Sequence, residues 1–203
     1  MIKKDVTFMS DQKTDKRISR SAAALRQALL DLMADKAFHA ISVKEIVEKA
    51  GYNRGTFYAH YESKEMLLDD VFSKLIDELK QSFRAPYEEV EMFRIDELPA
   101  NSVKIFDHFY RNSSVYTILF KSEVLPLFKE KISASLMQIA AEDLDYTHDS
   151  INREFLLIYS MNALLGLVFH WIESGFQYSP DYMQDQLVRM INWKPTSTKI
   201  NKR

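Results

Sequence analysis

Apolar residues recur at spacings of three and four along most of this chain, the pattern of helices that bury one face. Ala22, Leu25, Leu29 and Leu32 predict a first helix over about Ile18–Lys36, with Phe38 and Ile41 filling the bend after it. Val43, Ile46, Val47 and Ala50 predict a short second one. Leu67, Leu68, Val71, Leu75, Leu79 and Phe83 predict a long helix over about Lys64–Phe83, ended by Ala85-Pro86. The acidic stretch from Pro86 to Pro99 reads as a charged connection or a broken helix, and as the best domain boundary. Beyond it, helices are expected over about Ala100–Asn112 (Val103, Phe106, Phe109, Tyr110), Val115–Lys121, and Glu123–Asp143 (Leu127, Ile132, Leu136, Ile139), with Pro126 in the first turn of the last. Phe155–Ile172 holds eighteen residues without a charge, so this helix is apolar all round and is expected to be buried on several sides. Gly175 ends it, and Ser179-Pro180-Asp181 opens a last helix to about Trp193, carrying Leu187, Val188 and Ile191. Residues 1–14 and 194–203 lack periodicity and read as flexible tails.

The stretch between the first and the long helix, 42–61, is punctuated more sharply than the rest. Ser42 with Glu45 three residues on fits a capping box. Gly51 can take the left-handed conformation that ends a helix. Asn53 can cap a further helix from Arg54 to about His60. Two short helices joined by a tight turn form a helix-turn-helix, whose second helix is the reading element. That helix offers Arg54, Thr56, Tyr58 and His60 outward, all able to bond phosphates or base edges, while Phe57 and Tyr61 anchor it inward. Gly55 leaves a surface that a nucleic-acid backbone could approach closely. Lys64 sits in the first turn of the long helix, where free N–H groups and the helix dipole favour an anion.

The string Tyr52-Asn53-Arg54-Gly55-Thr56-Phe57-Tyr58-Ala59-His60-Tyr61, followed by Ser63-Lys64-Glu65 and Leu67-Leu68, resembles the N-terminal domain of TetR/AcrR-family transcriptional regulators. The resemblance covers about residues 15–75. It implies an all-α chain of about nine helices: a three-helix helix-turn-helix domain over 15–75, then a helical ligand-binding and dimerisation domain over 76–193. It implies a sequence-specific DNA-binding regulator, a repressor, that holds a palindromic operator as a homodimer and is released or retuned by a small-molecule effector or a protein co-regulator. Tyr58 and Lys64 match positions that clamp DNA phosphates in the family, and Lys44 matches one that contacts bases or backbone. Arg54 and Thr56 are then assigned to base edges, and Tyr58, His60, Lys64 and the capping Ser42 to phosphates, with Asn53 as cap. Ala59 departs from the larger side chains common at its position, which puts one backbone contact in doubt. The last two long helices, about 150–174 and 180–193, are implied to form a four-helix interface with a second copy. Ser174-Gly175-Phe176 with Ser179-Pro180 further resembles a subgroup that includes regulators of dihydroxyacetone-kinase operons, whose inducer arrives through a partner protein.

Charge sharpens this picture. The formal net charge of −2 hides an asymmetry: residues 1–64 hold 12 Lys+Arg and 8 Asp+Glu, residues 65–193 hold 11 and 21, and the last ten hold 4 and none. The first third suits a polyanion and the acidic body repels it, which helps fix orientation on DNA. A solvated acidic surface gives the same counts. Few glycines and prolines favour long helices. With no cysteine there is neither a disulfide framework nor a thiolate metal site, and Met1–Arg17 has no signal-peptide pattern, so a cytoplasmic protein is expected. Phe155–Ile172 meets the lower length for a membrane span, but Ser160, Asn162, Gly166 and His170 interrupt it and no basic flank adjoins it, so no membrane partner is expected.

No other chemistry is legible. The five histidines lack metal-ligand spacing, and neither a phosphate-binding glycine loop nor a nucleophile elbow is present, so no metal, cofactor or enzymatic activity is expected. His108, Tyr110, Tyr116, Tyr159, Asn162 and His170 mix apolar bulk with polar tips, as small-molecule pockets do and as internally satisfied cores also do. The competing function class is an all-α protein-interaction module whose helix-turn-helix is purely structural.

Overall fold

The computed structural model describes residues 5–88, 97–144 and 151–193, with side chains from Ile18 onward. Among these residues there are nine α-helices and no strand: α1 (Asp5–Asp35), α2 (Val43–Ala50), α3 (Arg54–Tyr58), α4 (Lys64–Arg84), α5 (Ile105–Arg111), α6 (Ser113–Lys121), α7 (Leu125–Asp143), α8 (Arg153–Glu173) and α9 (Pro180–Ile191), with 3-10 turns at Phe38–Ala40 and Ala100–Ser102. The expected fold class, all-α with an N-terminal helix-turn-helix, is therefore the one observed. The backbone divides into two compact units, Met1–Leu75 with Ile118–Lys131, and Ile76–Thr117 with Ile132–Arg203. Chain continuity through α4, α6 and α7 joins them, so α4 is not alone in passing from one to the other.

The first unit is built on the stripe of α1. Leu25 and Leu29 are fully buried, with Ala28, Leu30 and Met33 beside them, against Ile41, Ile46, Phe57, Leu67 and Phe72. Helix α2 packs on α1 and α3 on α2. The start of α7 adds Phe128, whose ring centroid lies 4.8 Å from that of Phe72. Polar clasps fix the helices where the apolar contacts leave freedom. Asp70 accepts from Arg26 at 2.7 Å and from the Tyr61 hydroxyl at 2.5 Å. Burial raises the Asp70 carboxyl, but these two hydrogen bonds outweigh it and hold the group below its ordinary range.

In the second unit Phe106, Phe109, Tyr116, Ile132, Leu136, Val168 and Trp171 form the core. Helix α9 lies against the Ala100–Ser102 turn and α5. Arg84 grips Asp143 through two nitrogens, at 2.6 and 3.2 Å, and the Tyr87 hydroxyl donates to the same carboxylate at 3.1 Å.

Three boundaries and one buried stripe differ from the sequence reading. The chain is helical from Asp5, where an aperiodic arm is expected. Extending an existing helix costs no new nucleus, so polar residues follow α1 outward without an apolar stripe. Helix α3 stops at Tyr58 rather than His60. The expected Ala100–Asn112 helix breaks after Ser102, and Val103, Ile105 and Phe106 are all buried. A straight helix turns positions two apart to opposite sides, so the break lets both Val103 and Ile105 face inward. In α7 the buried stripe is Phe128, Ile132, Leu136 and Ile139, and Leu127 is exposed. Residues 89–96 and 194–203, the centre of the expected acidic connection and the expected C-terminal tail, lie outside the described residues.

Candidate nucleic-acid interface

The reading motif is assembled by its caps. Ser42 Oγ accepts from the Glu45 backbone N–H at 3.3 Å, and Glu45 Oε2 accepts from the Ser42 backbone N–H at 2.9 Å, the reciprocal box the sequence predicts. Lys36 pairs with the same Glu45 carboxylate. Hydrogen bonds from Lys36 and from the backbone and hydroxyl of Ser42 bring the Glu45 carboxyl from its ordinary 4.5 to about 2. Gly51 then takes φ 72°, the left-handed conformation that ends α2 and turns the chain towards α3. Asn53 Oδ1 accepts from the Thr56 N–H at 2.9 Å and from the Thr56 hydroxyl at 3.3 Å, starting α3.

Phe57 is fully buried and Tyr61 nearly so, as expected, which leaves Arg54 and Tyr58 exposed one helical turn apart. Tyr58 is 58% exposed although it is large and aromatic. Arg54 has no ion-pair partner among the described residues. Lys44 is exposed, with only a loose contact to Glu48 at 3.8 Å. Thr56 is half-buried, and its hydroxyl is turned to Asn53. Gly55 has a reason inside the chain: a Cβ there would lie 3.2 Å from Asn53 Oδ1 and crowd the cap. Tyr52, not singled out from the sequence, is also exposed on the turn before α3. Its place inside the quoted motif was the one signal available.

Two of the sequence-assigned phosphate residues are placed differently. His60 lies beyond the end of α3, and its Nε2 sits 2.7 Å from Ser21 Oγ of α1. Lys64 turns its ammonium back onto the carbonyls of Phe38, His39 and Ile41, at 3.0, 2.9 and 2.8 Å. Hydrophobic periodicity cannot reveal either contact, because each joins side chains or carbonyls far apart in sequence.

The six residues considered as a ligand pocket do not converge. His108 is 1% exposed and its Nε2 meets the Tyr116 hydroxyl at 2.9 Å, with Tyr116 fully buried. Burial, assisted by the Arg111 charge, lowers His108 from 6.5 to about 4, so the ring is neutral, and burial pushes the Tyr116 hydroxyl well up. Tyr110, Tyr159, Asn162 and His170 are exposed instead. Tyr110 stacks on Trp171 with ring centroids 6.3 Å apart, and Asn162 donates to the Ile158 carbonyl of its own helix at 2.8 Å. An open depression of about 430 Å³ is lined by Ala141, Leu144, Asn152, Arg153, Glu154 and Leu157, none of the six. Helix α8 is apolar on every side. Sequence alone could not say which stripe turns inward.

Two short capped helices joined by a left-handed glycine turn, the second exposing an arginine and a tyrosine one turn apart, have the geometry of a helix-turn-helix. The comparisons with known proteins carry the class to a family. Residues 25–71 match the model of the bacterial regulatory proteins of the tetR family, and residues 96–193 match a model described as a transcriptional regulator C-terminal region. The chain belongs to the TetR family of transcriptional regulators. Among curated relatives, the uncharacterised HTH-type transcriptional regulator YxbF of Bacillus subtilis (strain 168) is 19% identical over 172 residues, 85% of this chain and 45% of that protein. The dhaKLM operon transcriptional activator DhaS of Lactococcus lactis is 38% identical over 55 residues, 27% of this chain and 29% of it. The chain thus spans less than half the length of the curated relatives it matches. A solved TetR-family regulator from Syntrophomonas wolfei shares the fold, with a TM-score of 0.68 at 13% identity over 86% of this chain and 94% of that one.

Proposed function

We propose that the protein is a cytoplasmic repressor that binds a palindromic operator as a homodimer and whose DNA affinity an effector retunes. The observation that carries the DNA-reading part is the pair Arg54 and Tyr58, exposed one turn apart on a doubly anchored helix, with the arginine unpaired among the described residues. Arginine can bind guanine O6 and N7 bidentately and tyrosine can donate to a phosphate, so Arg54 is assigned to a base edge, with Thr56 beside it, and Tyr58 and Lys44 to the backbone. Ser42, Asn53 and Gly55 build the helix ends that aim these groups. Residues 15–75 act as the reading domain and 76–193 as the regulatory and dimerisation domain.

Dimerisation rests on the outer faces of α8 and α9. Phe155, Ile158 and Tyr159 on α8 are exposed, as are Met190, Ile191 and Trp193 at the end of α9. Apolar groups this numerous on two neighbouring elements in sequence suit burial against a second copy. A two-fold dimer places its reading helices about one DNA turn apart, roughly 34–36 Å. The effector is a small molecule or a protein co-regulator. The His108 and Tyr116 side chains are buried and bonded to each other in the free chain.

The test is fluorescence anisotropy on duplexes selected by the wild-type protein from the genome and on scrambled duplexes. Arg54→Ala is expected to cost about 1–3 kcal/mol on the selected site and to relax preference at one base pair. If Arg54→Ala and Tyr58→Ala both bind the selected duplex like wild type, α3 is not the reading helix; if selection with the wild-type protein enriches no sequence, the helix-turn-helix is structural and the protein is an interaction module.

A further inference from the structure

Tyr52 lies between Gly51, which ends α2, and Asn53, which caps α3. Its backbone N–H donates to the Val47 carbonyl at 2.9 Å and closes the turn. An apolar side chain at such a place ordinarily packs on the last turn of the helix before it or the first turn of the helix after it. The positions for that are Val47 and Phe57, at 4% and 0% exposure, yet Tyr52 itself stays 37% exposed. Its hydroxyl has no hydrogen-bond partner among the described residues. The tyrosines that serve the core do have one: Tyr61 donates to Asp70, and the Tyr116 hydroxyl meets His108. Tyr52 instead resembles Tyr58, the last residue of α3, which is exposed and has no hydroxyl partner among the described residues.

We propose that Tyr52 is a further DNA-contacting residue, whose hydroxyl donates to a backbone phosphate bordering the groove that α3 enters. In a docked helix-turn-helix the N-terminal residues of the second helix meet base edges. Tyr52 precedes Arg54 by two residues, a reach of at most about 7 Å. The major groove is about 12 Å wide, so a residue that far from one reading its interior stands at its edge, where the sugar-phosphate backbone runs. A phosphate oxygen is the strong acceptor there, and a phenol is a neutral donor with an apolar body. Tyr52 before the first turn and Tyr58 at the last residue then tether both ends of the five-residue α3. Such a contact fixes register and carries no sequence information. This inference rests on the DNA-reading function proposed above.

Tyr52→Phe in the full-length protein keeps the ring and removes only the hydroxyl. Its affinity is measured by fluorescence anisotropy across a salt series, on a labelled duplex selected by the wild-type protein and on a scrambled duplex of the same composition. The phosphate contact predicts about a tenfold loss on both duplexes alike, because a hydrogen bond to a charged acceptor is removed. The preference for the selected duplex stays that of wild type. So does the slope of log affinity against log salt, since a neutral hydroxyl displaces no counterion. The thermal midpoint by circular dichroism is unchanged. Wild-type affinity on both duplexes overturns the proposal, leaving the hydroxyl without a role. A loss confined to the selected duplex also overturns it and makes Tyr52 a base contact. A lowered thermal midpoint, or a variant that does not fold, makes the hydroxyl part of the fold and overturns it too. Arg54→Ala is the control: if it loses preference while Tyr52→Phe binds like wild type, only the Tyr52 contact falls. If selection with wild-type protein enriches no sequence, the DNA-reading function itself fails and takes this contact with it.

Discussion

Two ionisable side chains act at different depths, and their pH windows differ accordingly. Glu45 has its carboxyl lowered to about 2 by Lys36 and the Ser42 cap. A folded pKa below the unfolded value means that the contribution is complete above about 4.5 and is lost as pH falls towards 2. His108 is lowered to about 4 by burial, so the unfolded chain takes up a proton that the folded one refuses. Its contribution is complete above 6.5 and is lost as pH falls from there to 4. Thermal midpoints followed by circular dichroism should therefore begin to drop below pH 6.5. Glu45→Gln should flatten only the part below about 4.5. Nitrogen NMR of the imidazoles should find His108 still neutral at pH 5.5, and a charged ring there would contradict the burial argument. Sequence disclosed Glu45 because its partner lies three residues away. It left His108 open between pocket and core, because Tyr116 closes over it only in the folded unit.

Among the elements, α3 depends most on its ends. At five residues it is too short to hold itself, and Asn53 supplies the bond that starts it. Asn53→Ala should cost about 1 kcal/mol in urea denaturation. It should also free space for a Cβ at position 55, so Gly55→Ala should be tolerated better in the Asn53→Ala background than alone. Helix α7 depends instead on one face. Phe128 is fully buried against Phe72, and Phe128→Ala should cost about 3–5 kcal/mol, whereas the exposed Leu127 should tolerate alanine with little change. Periodicity marked α7 as a helix but took Leu127 for its stripe. The two residues are adjacent and equally apolar, and only the neighbouring helix distinguishes them.

For the whole molecule, the exposed stripe of α8 is the decisive feature. Tyr159, Asn162, Gly166 and His170 follow one another at spacings of three and four on the side away from Met161, Leu165, Val168 and Ile172. By length and composition alone α8 could cross a membrane, yet one face is packed into the core of its unit. A Cβ on Gly166 would meet nothing within 4 Å in the single chain. Gly166→Arg should therefore fold normally and, with the dimer proposed above, reduce the mass in light scattering to that of a monomer. An unchanged dimer mass would remove α8 from the interface. Three residues considered for a ligand lie on this stripe, which suits a second copy better than a small molecule.

Sequence by itself determined the helical class, the two caps and the glycine of the helix-turn-helix, and the outward Arg54 and Tyr58, because each follows from contacts or spacings within a few residues. Tertiary structure alone decided which side of α8 is buried, that His108 and Tyr116 satisfy each other, that His60 turns to Ser21, and that Lys64 is spent on carbonyls more than twenty residues away. The physical reason is the same in each case. A side chain's partner across the fold is chosen by packing and by the cost of leaving buried polar groups unpaired, and neither leaves a periodic mark along the chain.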